Sequence, residues 1–366
     1  PCDIESAQNN FTPPPPPVQR FQSETIGDFA PPAPQRQREP RKTGDEKKPK
    51  KHFHLIKSKK KRITTIILVV ILALILIVVG TISGIMGRIT YNDKKENTFV
   101  SSSELESSAL VKNILLLGVD ARAGENANET RSDTMMLVSI DMKHRSIKLT
   151  SFLRDTWVYI PTLGYNQRLN AACSSGGYEG VVDAIEYNFG IDIDGYAVVD
   201  FEMFKVLVDS LGGVEVDVTE AEAKEVTNHP NRYGDVVLES GKYKLSGEQA
   251  LAYCRIRKID TDFVRTERQR TVMSAILNDA KHSGPFTLLN MAYKSAPYIE
   301  TDLTKGELRS LVMSAVPCLG NDIKQAKVPF EGTWEYATIS GNSVISINVD
   351  NNKQKLVDYI YNDVLE

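Results

Sequence analysis

Cysteine is scarce in this chain, with four residues among 366. Cys2 lies in the N-terminal tail, and Cys173, Cys254 and Cys318 are spread beyond residue 110. So sparse and odd a set is no disulfide framework, and it leaves both a Cys173–Cys254 bridge and unpaired packing thiols open. Histidine is equally thin: five scattered residues and no C-x-x-C pair exclude the spacing of a zinc site. No G-x-x-x-x-G-K-[ST] stretch occurs, so a Walker-type nucleotide cradle is absent.

Positive charge is missing where nucleic-acid binding would need it. Residues 1–62 carry fourteen Lys/Arg against seven Asp/Glu, a surplus of seven. The overall charge of −3 therefore leaves about −10 for the rest of the chain, and an acidic globular part argues against nucleic acid as a partner.

One long apolar run is present. "ITTIILVVILALILIVVGTISGIMG", Ile63–Gly87, holds no charge over 25 residues, enough to span a bilayer. "KSKKKR" precedes it, whereas Arg88, Lys94 and Lys95 follow it diluted by Asp93 and Glu96. The positive-inside rule then puts residues 1–62 in the cytoplasm and the long C-terminal part outside, a single-pass type II protein of the cell membrane. A cleaved signal peptide fits less well, because the run is long, its leading tail is about 60 residues and no A-x-A-like site follows.

Residues 1–62, with "PPPPP" and "PPAP", read as a disordered, basic, proline-rich cytoplasmic tail. Residues 88–109 read as a polar stalk. From residue 110 to 366, strand-like and helix-like segments alternate, which predicts one layered α/β domain. "NILLLGV", "TMMLVSI" and "IKLTSFL" read as buried strands, with "YAVVD", "VEVDV" and "VISINV" as further strands. Helices are expected at 181–189, 201–211, 265–281 and 351–364.

Charged residues collect at the strand ends. "GVDAR" supplies Asp120 and Arg122, "RSDT" supplies Arg131 and Asp133, and "LRDT" supplies Arg154 and Asp155. Ligand crevices of open α/β sheets lie at strand ends, so three neighbouring strands converge charge there. Asp120 and Asp133 are hard oxygen ligands suited to Mg²⁺ or Mn²⁺.

The densest arginine stretch is "SGEQALAYCRIRKIDTDFVRTERQR". Ser246 and Gln249 have capping-box spacing, predicting a short helix. Arg255 and Arg257 bracket Ile256 and, in an extended stretch, share a face able to grip a diphosphate. In the following helix Arg265, Gln269, Val272 and Ile276 fall within about 60° of one another, so Arg265 and Gln269 continue an apolar stripe. Arg268 falls at the edge of that stripe, and Arg270 is assigned to solvent. Asp262 reads as the helix N-cap, with a base or metal role as the alternative.

"NILLLGVDAR", "RSDTMMLVSID", "LTSFLRDTWVYIP", "RLNAACSSGGY" and "LSGEQALAYCRIRKIDTDFVRTERQR", taken in order, resemble the LytR-CpsA-Psr family of Gram-positive envelope enzymes. The C-terminal "NDIKQAKVPFEGTWEYATISGNSVISI" is similar too, so the resemblance runs from about residue 110 to the end. It implies a three-layer α/β/α extracytoplasmic domain on a central mixed sheet, with a polyprenyl pocket. It also implies Mg²⁺-dependent transfer of a glycopolymer phosphate from an undecaprenyl-pyrophosphate carrier to peptidoglycan. On the matching positions, Asp120 and Asp133 are the metal-associated acids. Arg122, Arg131, Arg154, Arg168, Arg255, Arg257, Arg265 and Gln269 form the pyrophosphate set, and Asp133, Asp262, Arg154 and Arg257 are the catalytic group. The chain departs from the family's "KLNAAY"-like stretch at Arg168, which keeps the charge, and at Cys173, which replaces an aromatic. A polyprenyl-pyrophosphate hydrolase and a non-enzymatic wall-binding or regulatory protein remain as alternative readings.

Overall fold

The structure, a computed structural model, describes residues 80–119 and 132–365. Residues 80–86 are helical, so the expected membrane span at 63–87 lies mostly outside the described residues. No helix among the described residues is long and apolar enough to cross a membrane.

Among the described residues, thirteen strands form three sheets. In chain order they are β1 (Thr90–Tyr91), β2 (Val111–Val119), β3 (Ser132–Asp141), β4 (Ser146–Phe152), β5 (Thr156–Ile160), β6 (Tyr165–Arg168) and β7 (Gly195–Val199). They continue with β8 (Val214–Val218), β9 (Gly241–Leu245), β10 (Glu300–Thr301), β11 (Ile323–Val328), β12 (Trp334–Ile339) and β13 (Asn342–Ile347). The longer helices are α1 (Ala171–Phe189), α2 (Phe201–Ser210), α3 (Glu220–Thr227), α4 (Gly247–Cys254), α5 (Asp262–His282), α6 (Pro285–Ser295), α7 (Lys305–Ala315) and α8 (Val349–Val357).

The central sheet is mixed, with order β1-β10-β7-β2-β3-β4-β11. β2 pairs antiparallel with β3 and parallel with β7, while β4 pairs parallel with β11. A four-stranded sheet, β12-β13-β5-β6, and a ribbon of β8 and β9 complete the fold. Within residues 88–109, expected as a stalk, Thr90–Tyr91 pair with Glu300–Thr301, and Asn92 Nδ2 donates to the Tyr196 hydroxyl at 2.8 Å.

Strand alternation divides the two faces of the central sheet. Leu115, Leu117, Met135 and Leu137 pack into one core with Tyr178, Val181, Ile185 and Phe189 of α1 and Leu356 of α8. Their neighbours Leu116, Gly118, Thr134 and Met136 point the other way and line a cavity. Over that second face lies a smaller core, in which Val214, Val216 and Val218 of β8 meet Ala250 and Tyr253 of α4 and Val272 and Ile276 of α5. Leu277 of α5 packs instead with Ile140 and Ile147 of the central sheet, and Gln325 of β11 donates to Ser274 at 2.7 Å. α5 is therefore enclosed on two sides.

A buried charge fastens the C-terminal end. Lys148 of β4, fully buried, donates to Asp141 Oδ2 at 2.7 Å and to the Ile360 carbonyl at 2.7 Å, and pairs with Asp363 at 3.1 Å. Burial works to raise the Asp141 carboxyl, but the bonds from Lys148 and His144 more than offset it and hold the group below its usual range. Removing one partner from such a pair strands the other charge in the interior. Lys148→Met is expected to lower unfolding free energy by about 3–5 kcal/mol, read from urea denaturation; an unchanged midpoint would show that the C-terminal segment does not depend on this lysine.

Candidate functional site

The residues that line the cavity are set by elements from both sides of it. β2 and β3 form one wall, and Val199 at the end of β7 joins them. Asp200 caps α2 by accepting from the Met203 amide at 2.7 Å, which places Phe201 and Phe204 on a second wall. Leu251 of α4 and Met273 of α5 close the apolar part of a space of about 430 Å³. Arg255, Arg257, Lys258, Arg265 and Gln269 add a polar end to the same cavity. Apolar walls with a cationic end suit an amphiphile that carries an anionic head.

α4 begins with the expected capping box, in which Ser246 and Gln249 exchange bonds with each other's backbone. Its last residues deliver the first two arginines. Arg255 is not extended but ends the helix in a turn at φ −94° and ψ −2°, while Ile256 is fully buried. The turn still leaves both Arg255 and Arg257 on the cavity, and Arg255 stacks over Phe201 at 4.9 Å.

Thr261, not Asp262, is the N-cap of α5. Asp262 is the first helical residue, and its carboxylate faces arginines. Arg265, 1 % exposed, pairs with Asp262 Oδ1 at 2.9 Å. Arg154 Nε lies 3.5 Å from the same oxygen and 3.5 Å from Asp155 Oδ2. Arg168 pairs with Asp155 Oδ1 at 3.5 Å and donates to Asn342 Oδ1 at 2.9 Å. Arg168, Asp155, Arg154, Asp262 and Arg265 thus alternate in sign from β6 to α5. Burial pushes the Asp262 carboxyl up, against the pull of Arg265, Arg154 and Arg257, and Asp155 adds to the rise. Asp262 Oδ2 is buried and finds no hydrogen-bond donor.

Of the site residues read from the sequence, the structure brings Arg154, Arg168, Asp262 and Arg265 into one network and places Arg255, Arg257, Arg265 and Gln269 on one cavity. Asp120, Arg122 and Arg131 lie outside the described residues, as does the side chain of Asp133. The backbone of Asp133 precedes the cavity-lining Thr134, and Asp120 follows Val119, another lining residue. Arg268 is buried and ties α5 to Glu222 at 2.6 Å and to Asp260, so its role is structural. Arg270 is only 7 % exposed, contrary to its assignment to solvent, because β11 covers that side of the helix. Cys173, Cys254 and Cys318 are buried thiols outside any disulfide, so no Cys173–Cys254 bridge forms; burial pushes the Cys254 thiol up to about 12. Asp155, legible only as a strand-end charge, joins two arginines, and Lys258 adds a cation that no spacing rule marks.

Asp141, His144 and Asp363 also bring ligand atoms within 4.8 Å of one another. They lie at the opposite end of β3 from the cavity, where Lys148 and Lys324 already neutralise them.

Residues 80–357 match the LytR_cpsA_psr family. The teichoic acid transferase TagT of Bacillus subtilis (strain 168), named polyisoprenyl-teichoic acid–peptidoglycan teichoic acid transferase, is 38 % identical over 170 residues, 46 % of this chain and 52 % of TagT. A TagU of the same full name from Halalkalibacterium halodurans is 32 % identical over 251 residues, 66 % of this chain and 75 % of that protein. A solved structure of TagT bound to LI-WTA superposes with a TM-score of 0.59 at 26 % identity, covering 75 % of this chain and 98 % of that one. The match to the B. subtilis TagT sequence spans about half of that protein's length.

A carboxyl whose folded pKa is raised holds its proton longer in the native state, so its burden on stability grows as pH climbs through the interval between the unfolded and folded values. Asp262→Asn removes that titration. The native chain is expected to lose stability relative to Asp262→Asn as pH rises from about 4, with a constant difference once the folded pKa is passed. Parallel stability profiles would show that the carboxyl titrates normally.

Proposed function

The chain belongs to the LytR_cpsA_psr family, and from that premise we propose that it transfers a phospho-linked glycopolymer from a polyprenyl-pyrophosphate carrier to peptidoglycan. The observation that carries this reading is a cavity in which Leu116, Met136, Val199, Phe204 and Met273 lead to Arg255, Arg257, Arg265 and Gln269. A prenyl chain fits the apolar walls and a diphosphate fits the guanidinium forks. The names of TagT and TagU support the reaction class, and the polymer is proposed as wall teichoic acid or a capsule-type glycan.

Helices on both sides of the mixed sheet support the three-layer α/β/α description, and the uncharged Ile63–Gly87 run supports a single membrane helix. In that arrangement the protein is single-pass and type II, the domain lies outside the cell, and the cavity meets its lipid at the outer membrane face.

In the proposed reaction the acceptor hydroxyl oxygen attacks the phosphorus that carries the glycan. A new P–O bond forms to the acceptor, the bond to the bridging oxygen breaks, and polyprenyl phosphate leaves with that electron pair. Arg257 and Arg265 take up charge on the diphosphate, and Arg154 holds Asp262 in place. A base, Asp262 or Asp133, accepts the hydroxyl proton; the burial that raises Asp262 brings it nearer the working pH. Asp120 and Asp133, each one residue from a cavity-lining residue, fit Mg²⁺ or Mn²⁺ as all-oxygen ligands. The ion, when bound, supplies further charge neutralisation to the diphosphate.

Arg257→Ala, at an exposed position, and Asp133→Ala are each expected to cut transfer by at least about 10²–10³-fold with the circular dichroism and melting point unchanged. The assay follows radiolabelled glycan into peptidoglycan and separately into water-soluble product. Near-native transfer by either variant would contradict the assignment, and release of free polymer without transfer would mark a hydrolase.

A further inference from the structure

Arg270 is the least explained charge in the domain. It is buried in the side of α5 opposite the first cavity's core, and its Nε and Nη1 find no hydrogen-bond acceptor. Burial lowers its pKa, countered by Glu267 and Tyr359, yet a guanidinium remains charged at neutral pH. A desolvated guanidinium without acceptors is unfavourable by several kcal/mol unless something supplies them. Arg270 lines a separate cavity of about 290 Å³, formed with Gln325, Lys327 and Phe330. Glu267 and Glu331 stand at the same cavity but are exposed, where water and salt screen them, so the buried guanidinium dominates the field inside.

A second unsatisfied surface adjoins this cavity. Lys327 sits 4.8 Å over the ring of Phe263. Phe263 stacks on Trp334 at 4.4 Å, and Tyr336 stands edge-on to Trp334 at 5.2 Å. Tyr336 is 60 % exposed, and the Trp334 Nε1 donor has no partner. Phe263 and Arg270 are seven residues apart, so they share one face of α5 about 10 Å apart along its axis. Asp262 begins that helix beside Phe263.

We propose that this face of α5 seats the acceptor glycan, with sugar rings over Phe263, Trp334 and Tyr336 and a carboxylate of the acceptor in the Arg270 cavity. The C–H-bearing face of a sugar ring is slightly positive and lies against the negative face of an aromatic ring. The planar guanidinium matches a carboxylate through paired N–H donors, and a monoanion meets less repulsion from Glu267 and Glu331 than a phosphate dianion. The track ends at Asp262, so an acceptor held on it presents a hydroxyl to the acid that receives the proton. This inference rests on the reading of the chain as a transferase to peptidoglycan.

The test uses the full chain in lipid nanodiscs and isothermal titration with N-acetylglucosaminyl-N-acetylmuramic acid and with the same disaccharide as its carboxamide. Binding of the acid is expected to exceed that of the carboxamide at least tenfold, and Arg270→Met is expected to remove the difference. Tyr336→Ala, at an exposed position, is expected to weaken both ligands alike by several-fold. Equal binding of acid and carboxamide to the native chain, no binding of either, or an Arg270→Met chain that still discriminates would overturn the proposal. The carboxamide comparison is made on the native chain, so misfolding of a variant does not blur it. Polyprenyl pyrophosphate binding is measured on the same samples: its loss in the native chain would sink the donor reading and leave the carboxylate comparison intact.

Discussion

The ion pair between Asp262 and Arg265 organises the site. It puts a buried guanidinium at the first turn of α5 and a half-shielded carboxylate beside it. Neither charge is stable alone in that setting, so each fixes the other. Through Arg154 and Asp155 the pairing reaches Arg168, and through Asn342 it reaches the four-stranded sheet. Elements more than 150 residues apart in sequence are thereby held in one geometry, and the cavity between the central sheet and the small ribbon keeps its cationic end.

Much of this frame is legible in the sequence because it is local. The strands Val111–Val119, Ser132–Asp141 and Ser146–Phe152 announce themselves through long apolar runs, and the capping box at Ser246 and Gln249 marks a helix start. The stripe of Arg265, Gln269, Val272 and Ile276 follows from helical phase alone, and all four residues face the interior or the cavity. What escaped is what depends on distant neighbours. Helical phase assigns Arg270 to water because it reveals one apolar stripe, whereas β11, more than 50 residues later, covers a second side. Thr156–Ile160 is short, and its partner Asn342–Ile347 lies far along the chain, so neither pairing nor sheet could be read locally. Residue alternation pairs Arg255 and Arg257 as on a strand, whereas a helix-ending turn brings both to the cavity.

Taken as chemistry, the two faces of α5 divide the work. Arg265 and Gln269 look into an apolar cavity fitted to a lipid with an anionic head, while Phe263 and Arg270 look out onto an aromatic and cationic track. Asp262 lies where the two meet, ion-paired with Arg265 and Arg154 through one oxygen and leaving the other without a donor. In the proposed reaction, donor and acceptor approach a shared carboxylate from opposite sides of one helix, and orientation supplies much of the rate in phosphoryl transfer.

The cavity between sheet and ribbon is proposed to hold a polyprenyl chain ending in phosphate. The most direct measurement is mass spectrometry of lipid extracted from the full chain purified from its own membranes. Polyprenyl phosphate or pyrophosphate is expected in near-equimolar amount with the native protein and depleted from Arg265→Ala. Recovery of ordinary phospholipids alone, in the proportions of the surrounding membrane, would contradict it.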